Sequence, residues 1–347
     1  MDFPIAVLLM QDGITTGAIY ALLALAFILV YSVTRIPFLP IGGFVTFTAM
    51  SLNQMQEGGV AWAASLLIIL GVPCLVFEIK ESIRRNTINL RGLALWFLSY
   101  VGVGALLLLA AVRIAWGELP LILQMIFVFL ITVPLAPMIY KLAFQPIQDS
   151  DPLTLFMVSI SIDMAMVGIA LFVFGPDGIR NEPYSEAVYQ FGMLSVPGYA
   201  LWILGVTLVL VMLLFGFSTR TLEGKKLRAT AVNRLGAQLV GISTAKAGMI
   251  AFALAGGIGV ICGLLIGPVA TINSSSGVLL GLKALVAAVL GGFASYPAAV
   301  IGAIVIGLIE AFSSFWVSAL KDAIAFAFVI PILLVRSLTS HYSEDDH

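Results

Sequence analysis

Apolar residues in this chain come in long unbroken runs, separated by short polar islands. They do not alternate as in a strand, nor form the narrow stripe of a surface helix. Runs at 14–33, 60–77, 93–112, 119–140, 153–174, 199–217, 249–272 and 297–315 approach the ~20 residues that a helix needs to cross a bilayer. Three more, at 41–55, 277–293 and 323–335, are short for a crossing, and 277–293 fits a re-entrant partner of 297–315. Pro37 and Pro40 interrupt the chain between the first two runs, and Pro73 falls inside the third. The pattern predicts an all-α polytopic membrane bundle of 10–11 hydrophobic segments in one transmembrane domain over residues 1–347, ending in a polar tail at 337–347.

Composition agrees with the pattern. Hydrophobic residues are 61% of the 347 and charged residues only 10%, with a mean hydropathy of +1.11, far from the balance of a soluble domain. A formal net charge of −1 gives no footprint for nucleic acid. Cys74 and Cys262 both lie in apolar runs and read as small membrane-helix residues, not as a disulfide or a metal pair. In the last third, Gly259, Gly263 and Gly267 recur every four residues, the spacing that lets helix backbones approach closely, and Gly291, Gly292 and Gly302 continue the theme.

The polar islands carry the sidedness. Residues 218–248 hold six of the seventeen Lys and Arg residues. With that segment placed on the inner side and the spans alternating, thirteen basic residues fall inside. Only Arg113, Arg180 and Lys321 fall outside, and Lys283 lies within a span. The bias sets the N-terminus outside and the C-terminus in the cytoplasm. Within the basic segment Leu227, Ala231, Leu235 and Leu239 recur every fourth residue, predicting one amphipathic helix that contains Gly236 and stops at Gly241. Charge alone makes this a loop that obeys the positive-inside rule. The apolar stripe asks for a surface to cover, either headgroups or another protein.

Several kinds of chemistry lack their residues. The two histidines, His341 and His347, sit in the tail, so no apolar run offers one for a Ser–His site or an H-E-x-x-H zinc site. No Gly-rich P-loop with Lys and Ser/Thr appears. An intramembrane enzyme is therefore disfavoured, and no cofactor or metal is expected on this chain. Three charges do lie inside apolar runs: Asp163, Lys283 and Glu310. Each costs ~2.5–3.5 kcal/mol on insertion scales and needs a partner, water or a purpose. A structural ion pair and contact with a transported solute both answer that need. Lys283 and Glu310 lie at equal depths of ~9 Å on consecutive antiparallel helices, which is what a pair requires. Asp163 sits near the middle of its own span.

The chain resembles the membrane permease subunit of branched-chain amino-acid ABC importers, the leucine/isoleucine/valine type. The matching stretches are G-I-T-T-G-A-I-Y-A-L-L-A-L at 13–25, L-A-F-Q-P-I at 142–147 and L-R-A-T-A-V-N-R at 227–234. Others are L-V-G-I at 239–242, G-L-K-A-L-V-A-A-V-L-G-G-F-A-S at 281–295 and G-L-I-E-A-F-S-S at 307–314. The resemblance implies that the basic segment docks on a cytoplasmic ABC ATPase, which binds the ATP and Mg. Lys225, Leu227, Arg228, Ala231, Arg234, Leu235, Leu239 and Gly241 would form that coupling surface. It further implies a periplasmic substrate-binding protein, a second permease subunit and residence in a bacterial inner membrane. An ATP-independent secondary transporter or channel is the alternative, with Asp163 and Glu310 as its ion-coupling carboxylates. The chain departs from the family at 37–43, where P-F-L-P-I-G-G replaces an N-F-A-H-G-E-like run.

The stretch between Gly43 and Lys141 is longer than the family plan by about one helical hairpin, which assigns 60–112 as an insertion peripheral to transport. Replacing 60–112 by a short linker is expected to spare uptake more than deletion of any other pair of spans. Complete loss of uptake in a stably inserted deletion protein would place the hairpin in the pathway or in an essential interface.

Overall fold

The computed structural model describes residues 3–84, 97–185, 187–191, 194–293, 295–328 and 331. The expected polar tail at 337–347, the later part of the segment at 323–335, and Arg85 and Arg91 lie outside the described residues. Among these residues the chain is helical almost throughout, and seven helices are long and apolar enough to cross a membrane. Helix α1 (Phe3–Thr34) contains the apolar run at 14–33, as expected, and is largely buried inside the bundle. The connection that follows does not leave the protein: Ile36, Phe38 and Leu39 are buried, and α2 (Ile41–Gln56) starts inside the bundle. Fourteen of its sixteen residues are buried. At ~1.5 Å per residue α2 is ~24 Å long, short of the ~30 Å hydrocarbon core.

The next elements are α3 (Ala63–Arg84) and α4 (Val103–Arg113), the latter extended by a π turn at Leu98–Gly102. Then come α5 (Leu121–Thr132) and α6 (Leu135–Ile139), which Pro134 separates. Helix α7 (Pro152–Phe174) leads through a small antiparallel ribbon, β1 (Val188–Phe191) and β2 (Leu194–Pro197), into α8 (Gly198–Arg220). The hydrophobic pattern does not signal that ribbon. Two short helices, α9 (Leu222–Val232) and α10 (Arg234–Leu239), precede α11 (Thr244–Ile266), α12 (Ser276–Leu290) and α13 (Tyr296–Trp316). Residues 321–328 begin one more helix. Helix α12, ~22 Å long, is as short as α2.

Backbone approach at glycine sets how α1, α2, α11, α12 and α13 pack. A Cβ at Gly13 or Gly17 of α1 would lie 2.8 Å from Cα of Leu308 or Ile304 on α13. Gly42 of α2 meets the backbone of Gly277 on α12, and a Cβ at Gly281 would lie 2.6 Å from the Leu39 carbonyl oxygen. The expected stripe on α11 faces α2: Gly259 abuts Ile41 and Phe44, and Gly263 abuts Val45 and Thr48. Gly267 instead meets Asn181. Asn181 donates to the Ala49 carbonyl (3.1 Å) and ties the loop after α7 to the middle of α2. Oil-like lipid gives helices no hydrophobic reason to associate, so such van der Waals contact carries the packing.

One boundary needs correction. The run at 119–140 was expected to end at Tyr140, leaving Lys141 in a polar turn. The helix instead continues through a π turn, Tyr140–Phe144, and a 3₁₀ turn, Gln145–Ile147. Lys141 is buried there, paired with Glu78 of α3 and donating to the Tyr100 hydroxyl at 2.8 Å. Its ammonium also lies over the Tyr100 ring, 4.7 Å from the centroid. Within the described residues, α3 and α4 lie against each other through Gly71 and Gly104, and α3 reaches the rest of the protein through the 121–147 helix. Removing 60–112 would strand the Lys141 ammonium, so that deletion should carry Lys141→Met.

Gly263→Leu is expected to lower stability in detergent by at least roughly 1–3 kcal/mol, because the Val45 backbone cannot yield to the new side chain. Gly257 of α11 has open space where a Cβ would be, so Gly257→Ala should be neutral or gain up to about 1 kcal/mol. Thermal unfolding of the two variants checks the contrast; equal effects would refute the α2–α11 contact as the constraint.

Candidate functional site

The basic segment forms a two-helix ledge at one end of the bundle. Helix α8 runs through Ser218 to Arg220, and Thr221 caps α9 by accepting from the Gly224 amide (3.0 Å). The ledge departs from expectation at Asn233. One helix was expected to carry Leu227, Ala231, Leu235 and Leu239 on a single stripe. Asn233 instead adopts extended backbone (φ −148°, ψ 104°), ends α9, and caps α10 by accepting from the Gly236 amide at 2.8 Å. A side chain that bonds its neighbouring backbone competes with helix continuation. Gly236 therefore sits in the first turn of α10, not in the middle of a longer helix.

The break divides the four residues. Leu227 is 3% exposed and packs with Val33, Ala247 and Ala251, with Ala231 half-buried beside it. Leu235 and Leu239 point away from the bundle, 73% and 89% exposed, together with Leu222, Val232 and Val240. Gly241 (φ +85°) ends α10 as expected. Its amide bonds the Gln238 carbonyl and the Ile242 amide bonds Ala237, the paired bonds of a left-handed glycine cap. Lys225, Arg228, Ala229, Val232 and Ala237 line a groove of about 500 Å³ between the two helices. Arg234 anchors the ledge to the turn before α7, 3.6 Å from Asp149 and 3.4 Å from the Gln148 carbonyl.

Nearer the opposite end, the structure brings Lys283 and Glu310 together. The Lys283 ammonium lies 2.8 Å from Glu310 and 2.7 Å from Asp322, and donates to the Tyr20 hydroxyl at 3.1 Å. Tyr20 in turn donates to Glu310 at 2.7 Å, and Lys321 approaches the other Glu310 oxygen at 3.6 Å. The network joins α1, α12, α13 and the segment after α13, with two cations against two carboxylates. The sequence reading missed Tyr20, Lys321 and Asp322. Tyr20 sits in an uninterrupted apolar run, and Asp322 lies beyond the end of α13, so only the folded chain places them beside Lys283. Asp163 joins neither cluster. It is 3% exposed on α7 and its Oδ1 has no hydrogen-bond partner among the described residues.

Two carboxylates on one ammonium make the substitutions unequal. Lys283→Ala strands Asp322, leaves Glu310 only the more distant Lys321 as a cation, and should cost ~3–5 kcal/mol. Glu310→Ala leaves Lys283 paired with Asp322 and should cost less, about 1–3 kcal/mol. The double variant should lose less than the sum. A double-mutant cycle on thermal stability in detergent measures this, and strict additivity would rule out the coupling.

Comparison with known proteins agrees with the architecture. LivH of Escherichia coli K12, named as a high-affinity branched-chain amino acid transport system permease protein, is 24% identical over 341 residues, covering 94% of this chain and 92% of LivH. LivH of Salmonella typhimurium LT2 matches to the same extent. BraD of Pseudomonas aeruginosa, named as the same kind of permease protein, is 26% identical over 254 residues, covering 69% of this chain and 80% of BraD. No solved structure shows a significant match. The family described as branched-chain amino acid transport system / permease component matches residues 9–334, nearly the whole helical bundle, and this multi-pass membrane protein belongs to it.

Proposed function

We propose that this permease forms the pathway by which an ABC importer takes up branched-chain amino acids or a related small polar solute, with ATP and Mg held by a separate cytoplasmic ATPase. The observation that carries the reading is the α9–α10 ledge. It turns five large apolar side chains outward beside Lys225 and Arg228, at the end of the bundle where basic residues concentrate. Such a surface suits a protein partner more than water. A secondary transporter has no use for it.

The ledge then faces the cytoplasm, which puts the N-terminus outside, in line with thirteen basic residues against three. The opposite end, with the β1–β2 ribbon, would meet a periplasmic substrate-binding protein. The broad outward apolar surfaces of α7 and α8 suit lipid and a second permease subunit. The inner membrane of a bacterium is the compartment that holds all of these partners.

The split stripe makes the test specific. Leu235→Glu and Leu239→Glu change residues that are largely exposed among the described residues. They should therefore leave the permease's melting temperature within a few degrees of wild type while abolishing substrate-stimulated ATP hydrolysis, because the interface would bury an unpaired carboxylate. Leu227→Ala should instead destabilise the permease by ~2 kcal/mol, since Leu227 packs on its own bundle. Normal stimulated hydrolysis in Leu235→Glu would return the ledge to a solvated segment.

A further inference from the structure

Among the described residues four charged side chains are buried: Lys141, Asp163, Lys283 and Glu310. Three of them are paired within the protein. Of these four, Asp163 is the one in no ion pair among the described residues, and its buried Oδ1 has no hydrogen-bond partner there. A carboxylate held in the membrane without a counter-ion is costly, and intramembrane charges of this kind mark solute or ion pathways.

The surroundings of Asp163 follow from its neighbours one turn away. Ser159 accepts a hydrogen bond from the Leu39 amide at 3.0 Å, and the Met166 methyl lies over Gly43. Residues 159, 163 and 166 share one face of α7, so Asp163 faces the beginning of α2. That beginning is unusual, since α2 starts inside the bundle after a buried, proline-broken connection. The α2 N-terminus presents the positive end of its dipole, which favours an ionised carboxylate opposite it. The dipole offsets part of the cost of the charge; it does not fill the hydrogen-bonding capacity of Oδ1. Helix α12, which also packs on α7, meets this same first turn of α2 through Gly277 and Gly281.

We propose that Asp163, at the junction of α2, α7 and α12, is the point in the transport pathway that accepts the ammonium group of an α-amino acid. This rests on the amino-acid reading above and adds to it the residue that reads the amine. A discontinuous helix start beside a binding point inside the membrane is a recurrent arrangement in transporters. The enclosure of Asp163 corresponds to a closed pathway. Two features permit opening. Helix α7 is exposed along most of its length, and Met166, which lies over Gly43, is an unbranched side chain that repacks readily. Lys283, engaged by two carboxylates, is not left to bind the solute's own carboxylate.

The experiment uses proteoliposomes that contain the permease with its ATPase and second permease subunit, saturable by leucine-loaded binding protein. Asp163→Asn preserves shape and removes charge. It should lower maximal leucine uptake by at least about tenfold, with the half-saturating leucine concentration and the melting temperature unchanged. Asp163→Glu should retain uptake within about threefold, because the charge survives. Uptake by Asp163→Asn within about twofold of wild type would overturn the assignment and leave the amino-acid reading intact. Loss of uptake together with a lower melting temperature in both variants would overturn it in favour of a packing role. Failure of the wild-type complex to transport leucine or any other α-amino acid would remove the substrate reading, and this site with it.

Discussion

Close contact between helix backbones is the constraint on which the rest of this protein depends. Helices α1, α2, α11, α12 and α13 meet at glycines where no Cβ fits, and these contacts bury α2 on nearly every side. In a medium where apolar side chains gain nothing by leaving the solvent, contact area must come from shape. Glycine on both partners gives the largest contact area. A helix as short as α2 can remain wholly inside the bundle because its neighbours replace the lipid it does not reach.

That packing also decides where charge is admissible. Lys283 and Glu310 lie where α12 and α13 approach α1 closely enough for Tyr20 to bond both, and each charge finds its counter-charge within hydrogen-bonding distance. Lys141 is admitted between α3 and the 121–147 helix on the same terms, by Glu78 and Tyr100. Low dielectric strengthens such pairs and equally raises the cost of a missing partner. Asp163 stands apart: among the described residues it is in no ion pair, and its neighbours one turn away, Ser159 and Met166, touch the start of α2.

The ledge shows the opposite arrangement. Thr221 and Asn233 turn the chain twice by local capping, and Gly241 ends the second helix with a left-handed turn. Leu227 anchors the ledge to the bundle, while Leu235 and Leu239 stay largely exposed among the described residues. The ledge thus combines a fixed attachment on one side with an exposed apolar surface on the other.

Much of this was legible in the amino-acid order, and the limits have a physical cause. Spans, basic bias and the glycine stripe on α11 are local patterns set by bilayer thickness, by the cost of moving charge across it and by helical periodicity. They could be read directly. The Lys283–Glu310 pairing was also within reach, because consecutive antiparallel helices of known length put the two at one depth. The break at Asn233 was harder, since a continuous four-residue spacing looks identical whether or not one side chain caps a new helix. Contacts made across long sequence separations were not legible at all. Nothing local to Asp322 marks it as a partner of Lys283, nothing near Lys141 announces Glu78, and an apolar run does not reveal that Ser159 will bond Leu39. Which charges are satisfied, and that Asp163 is not, was decided only when the helices packed.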